Sequence, residues 1–73
     1  MTKGAYRVGI DFNPSGSELV DRLKAVAADH IDLIEAIPDQ GEGEIKRCKA
    51  EAQTAAENAS MWAVKAATRK PMP

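Results

Sequence analysis

AEAQTAAENASMWAVKAAT, residues 50–68, is the stretch whose reading decides the fold. Small or apolar residues recur at Ile45, Cys48, Ala52, Ala55, Ala59, Trp62 and Ala66. Their gaps alternate between three and four, which marks a seam along one face of a helix. Most of the seam is alanine, the strongest helix former and one that lets a partner helix approach closely. The spacing predicts a helix over 43–69 whose alanine seam takes the first helix, other copies of the chain, or both.

Working back from it, residues 39–43 (DQGEG) read as a tight polar link, and Pro38 stops whatever precedes it. A link this short folds two helices antiparallel. Leu19, Leu23, Val26, His30, Leu33 and Ile37 form a helical face, widened by Val20, Ala27, Ile31 and Ile34. The first helix is therefore expected over 15–37, opened by Ser15 in a capping box with Glu18. His30 reads as packed or half-buried beside that stripe. Ahead of it, residues 1–14 are expected to form an N-terminal arm. There Tyr6, Val8, Ile10 and Phe12 alternate with Arg7, Gly9 and Asp11, a period of two that predicts extended structure. The fold class is thus all-α: an antiparallel two-helix hairpin (15–70) with a short arm.

Seventy-three residues bury little surface, and a single cysteine, Cys48, allows no internal disulfide. One histidine and one cysteine do not make a structural zinc site. Oligomerisation remains, so a symmetric homo-oligomer is expected. The net charge of −1 lacks the basic excess of a general DNA or RNA binder. No apolar run approaches the roughly 20 residues that cross a bilayer, and the N-terminal stretch has no secretory core. The chain reads as cytoplasmic, without a membrane partner.

No catalytic motif, metal set or glycine-rich phosphate loop is present, so no enzyme activity and no cofactor are expected. Binding is better supported. Phe12, Asn13, Pro14 and Ser15 precede a helix start, with Arg22 and Lys24 just behind. Phe12 offers a face for a base, Asn13 an amide for a base edge or phosphate, and the helix start and Lys24 positive charge. Each has a plainer reading: Phe12 as a staple, Asn13 as a turn residue, Lys24 as a solvated charge. Arg47, beside the seam, either lays its stem over apolar surface or, repeated around an oligomer axis, faces a phosphate-rich ligand.

Taken together, FNPS at 12–15 and AxTxxExAxMWAVKAAT at 52–68 resemble a family of small phage proteins, the anti-CBASS cyclic-nucleotide sponges. CBASS is a bacterial defence in which infection triggers cyclic oligonucleotides that activate a cell-killing effector. The resemblance implies a chain that sequesters those messengers, such as cyclic GMP-AMP, without cleaving them. It implies that Phe12, Asn13 and Lys24 meet a cyclic dinucleotide, Phe12 standing where members often carry tyrosine. It also implies that Arg47, with Asn13 and Thr54, meets a cyclic trinucleotide, although Cys48 stands where some members carry tryptophan. The assembly it implies is a homohexamer, a trimer of dimers. The rival readings are a helical module that docks another protein through the seam and Trp62, a small nucleic-acid regulator using Lys65, Arg69 and Lys70, and an enzyme that degrades the messenger.

Overall fold

The computed structural model describes residues 1–72, and its regular structure is all helical. Three helices follow in order: α1 (Lys3–Val8), α2 (Glu18–Glu35) and α3 (Gly43–Thr68). The long pair, α2 and α3, forms the antiparallel hairpin. The turn between them carries Gln40 at φ 53° and Gly41 at φ 77°. Glu42 caps α3 by accepting from the Ile45 amide at 2.8 Å.

The period-two reading of 1–14 does not hold, because residues Lys3–Val8 are helical. Thr2 caps this short helix, its hydroxyl accepting from the Ala5 amide, and Gly9 ends it in the left-handed region at φ 65°. Six residues do not hold a helix alone in water. What holds this one is contact with the hairpin. Gly4 is buried against the Ala28 carbonyl, and its amide donates to Asp32 Oδ1 at 2.7 Å. Lys3 pairs with Glu35, and Arg7 with Glu57, each at 2.7 Å.

The α2 start also differs from the expected capping box. Ser17 is the cap, its hydroxyl accepting from the Val20 amide, and the helix opens at Glu18. Gly16, at φ 67°, turns the chain between Ser15 and that cap. Ser15 instead donates to Asn13 Oδ1 at 2.6 Å.

The core lies between one strip of each long helix: Val20, Ala27, Ala28, Ile31 and Ile34 from α2, and Gln53, Ala56 and Ser60 from α3. The alanine seam is not that strip. Ile45, Cys48, Ala52, Ala55, Ala59, Trp62 and Ala66 are all exposed. The packing face is rotated from it and was masked in sequence by its polar members. Gln53 can be buried because its amide is satisfied at both ends, donating to Glu35 Oε2 at 2.7 Å and accepting from Arg7 at 3.3 Å. The seam lies instead beside the outer strip of α2, where Val26 and Leu33 are each 71% exposed. His30 belongs to this open strip and is exposed rather than packed. Together the strips make a trough of about 680 Å³ lined by Leu19, Leu23, Val26, His30, Ala52 and Ala59 among others.

Candidate functional site

The loop that joins α1 to α2 is shaped by hydrogen bonds made on both of its flanks. The Phe12 amide donates to the Gly9 carbonyl at 2.9 Å, and the Ile10 amide to the Ala5 carbonyl at 3.0 Å. Asn13 Nδ2 donates to the Ser17 carbonyl at 2.8 Å and to Asp21 Oδ1 at 2.9 Å, while its Oδ1 accepts from Ser15. Asn13 is a turn residue, as its plain reading had it, yet it also lines a hollow. Phe12 is no staple, since it is 70% exposed. The two residues, with Pro14, Ser15, Val20, Lys24, Val64 and Thr68, enclose about 200 Å³.

Lys24 lies under this corner. It is 7% exposed, so its solvated-charge reading does not hold. Its ammonium turns back to the loop, donating to the Gly9 carbonyl at 2.9 Å and to the Phe12 carbonyl. It also sits 5.5 Å from the centre of the Phe12 ring, within cation–π range.

Arg47 and Thr54 share a different face. Seven residues apart on α3, they are two turns and about 10 Å apart along one side of the helix. Arg47 is exposed and makes a fork to Glu44, with Nη2 at 2.6 Å and Nε at 3.1 Å. That pairing pushes the Arg47 pKa up and draws Glu44 down. Within one chain Asn13 is not brought to this pair. It meets α3 at Val64 and Thr68, at least ten residues and about 15 Å beyond Thr54.

A model of the Acb2/Tad1 hairpin domain matches residues 5–68. The chain belongs to that family. It is the family of anti-CBASS cyclic-oligonucleotide sponges that the two motifs resemble. No curated protein and no solved structure matches the chain.

The match in this Acb2/Tad1 hairpin begins inside α1, at Ala5, and so takes in a residue that sequence reasoning left out, Arg7. Its guanidinium spans from α1 to α3: Nε to Glu57 at 2.7 Å, Nη1 to Gln53 at 3.3 Å and Nη2 to Thr54 Oγ1 at 3.4 Å. Arg7 thus stands beside the threonine that the resemblance assigns to a trinucleotide. No periodicity marked it, because the contact joins positions 47 apart in the chain.

The electrostatics at the α1 end follow from the same network. The Lys3 ammonium, and then the Gln53 amide, hold the Glu35 carboxyl at about 2, down from 4.5. Lys49 closes the adjoining turn between α2 and α3, donating to the Glu35 and Ile37 carbonyls at 3.0 and 2.6 Å. The Gly41 amide lowers the Asp39 pKa there. Among the described residues no group of three or more His, Cys, Asp or Glu is arranged to hold a metal ion. No helix among them is long and apolar enough to cross a membrane.

Proposed function

We propose that this Acb2/Tad1 hairpin binds and sequesters cyclic di- and trinucleotide messengers without cleaving them, and so blocks CBASS immunity for a phage within the host cytoplasm. The observation that carries the reading is the Phe12–Asn13 corner: an outward aromatic and an amide beside a hollow, in a chain of the sponge family. The exposed ring gives a base a stacking face worth roughly 1–3 kcal/mol. Asn13, its Nδ2 committed to Ser17 and Asp21, supplies a polar edge through the remaining lone pair of its Oδ1, and Lys24 lies beneath. Arg47, Thr54 and the neighbouring Arg7 form the face for a cyclic trinucleotide.

One chain does not enclose such a ligand. Its hollow of about 200 Å³ falls below the ~300–1,000 Å³ of pockets that surround drug-sized molecules. A cyclic dinucleotide is close to two-fold symmetric, so two copies related by a dyad present the same residues to each half. The open trough beside the alanine seam supports such pairing, being an apolar surface that one chain leaves uncovered. The assembly proposed is a hexamer, a trimer of dimers. Two stacked bases and paired charges lie within range of the about −12 kcal/mol that nanomolar binding requires.

Titration calorimetry with cyclic GMP-AMP tests this, followed by heat release of the ligand and chromatography. One ligand per two chains, recovered whole, is the expected result. Absence of heat with dinucleotides and trinucleotides alike refutes it. The trough would then favour the second reading, a non-catalytic module that docks a protein partner.

A further inference from the structure

We infer that Arg7 is a positioning residue for Thr54: its guanidinium occupies the acceptor side of the Thr54 hydroxyl and leaves that hydroxyl's proton to be donated to an acceptor atom of a bound nucleotide. The inference starts from where two threonines of one helix spend their protons. A hydroxyl has one proton to donate and two lone pairs that accept. Inside a helix it commonly donates back to the carbonyl three or four residues earlier. Thr68 does so, donating to the Val64 carbonyl at 2.8 Å. Thr54, on the same helix, makes no such bond to the Ala50 carbonyl. Among the described residues its hydroxyl has a single partner, Arg7 Nη2 at 3.4 Å, and from that partner it accepts.

The way Arg7 is held gives the reason. Its planar fork is fixed by Glu57, which takes Nε at 2.7 Å, and by Gln53, which takes Nη1 at 3.3 Å. Gln53 is itself buried and tied to Glu35. With those two directions set, the remaining donor, Nη2, meets Thr54. A guanidinium offers donors and no acceptor, so the hydroxyl proton cannot be spent on it. The positive fork turns that proton away, and Thr54 is exposed, so the proton is available at the surface. The cations on this face are each matched by a carboxylate, Arg7 by Glu57 and Arg47 by Glu44. What the face offers at Thr54 is therefore a directed donor more than a net charge. It selects a group that only accepts: a phosphate oxygen or an unprotonated ring nitrogen of a base.

This inference rests on the cyclic-trinucleotide reading for its affinity arm, whereas its first arm needs no ligand. The χ1 angle of Thr54 is read by NMR, from three-bond couplings to its methyl carbon, in ligand-free wild type and Arg7→Lys. Lysine keeps a positive charge opposite Glu57 but lacks the fork that spans three acceptors. Wild type is expected to hold Thr54 in one rotamer, and Arg7→Lys to give averaged couplings. The Thr68 couplings are expected to stay as in wild type, and so is the exchange protection of the Gly4 amide, which reports α1 docking through Asp32. Averaged Thr54 couplings in wild type, or unchanged ones in Arg7→Lys, overturn the inference. Loss of Gly4 protection together with Thr54 order also overturns it, because α1 docking as a whole would then be the cause.

The second arm keeps Arg7 and varies the hydroxyl, so it survives a first variant that does not fold. Binding of cyclic triadenylate is compared by calorimetry for wild type, Thr54→Ser and Thr54→Val. Serine keeps the donor and is expected to bind close to wild type. Valine has nearly the same shape without the proton and is expected to bind at least about tenfold more weakly. A valine variant as tight as wild type overturns the inference, as does a serine variant as weak as valine. If wild type binds no cyclic trinucleotide, the proposed trinucleotide face fails while the coupling comparison still decides the role of Arg7.

Discussion

Gly4→Ala is the sharpest perturbation of how this fold places its site. A Cβ at position 4 would lie 2.1 Å from the Ala28 carbonyl oxygen, 2.8 Å from its carbon and 2.8 Å from Asp32 Oδ1. Two of those atoms are α2 backbone and cannot swing aside, so α1 itself must retreat. Its retreat strains the Gly4–Asp32, Lys3–Glu35 and Arg7–Glu57 contacts together. Overpacking of this kind costs about 1–3 kcal/mol. Because two of the atoms met are backbone, the cost falls at the upper end of that range, about 2–3 kcal/mol, and alanine returns about 1 kcal/mol through its higher helix propensity, leaving a net loss of about 1–2 kcal/mol. For a chain of this size, about 4–8 °C per kcal/mol lowers Tm by roughly 4–16 °C. The assay is thermal unfolding by circular dichroism at one fixed protein concentration, because self-association shifts Tm by mass action. Gly43→Ala is the control, since nothing lies within 4 Å of the Cβ it would add and only the propensity gain remains. A Gly4→Ala protein as stable as wild type, with α1 amides equally protected, would refute the close docking of α1.

Three further outcomes are expected. Glu35 has its folded pKa depressed from 4.5 to about 2, so its contribution to stability is complete above about pH 4.5 and is lost as pH falls towards 2. Glu35→Gln should flatten that acid limb of a stability–pH curve, and an unchanged limb would show that the Lys3 and Gln53 contacts do not hold the carboxylate. Val26→Glu places a charge on the open strip of α2 without touching the core, so if the proposed oligomer pairs through this strip the variant should sediment as a smaller species than wild type while keeping its helical content. Arg47→Ala should weaken cyclic trinucleotide binding at least about tenfold, as loss of a charged hydrogen-bonding partner does, and leave dinucleotide affinity unchanged in calorimetry. Equal weakening of both ligands would show that the two faces are not separate.

Much of this architecture is legible from local rules. The antiparallel hairpin follows from the helical spacing of α2 and α3, from Pro38 and from a polar link with glycines. Phe12 and Asn13 could be named because an aromatic and an amide before a helix start are chemically distinctive, and the structure sets both around one hollow. Lys24 was legible as a cation near them, but the direction of its ammonium was not. That direction depends on two carbonyls 15 and 12 positions away, which no periodicity encodes.

Sequence by itself determined the elements long enough to declare their own period: two helices, their turn, and the apolar strips they carry. Tertiary structure alone decided three things. It made residues Lys3–Val8 a helix, since six residues have no stable conformation until Gly4 docks on α2. It selected the Gln53–Ala56–Ser60 strip for the core and left the alanine seam open, because Arg7 and Glu35 satisfy the polar Gln53 from other elements. It also drew Arg7 to Thr54 across 47 residues. The physical reason is common to all three. Helix periodicity is carried by contacts three and four residues apart, whereas burial and charge placement depend on partners that only the folded chain brings together.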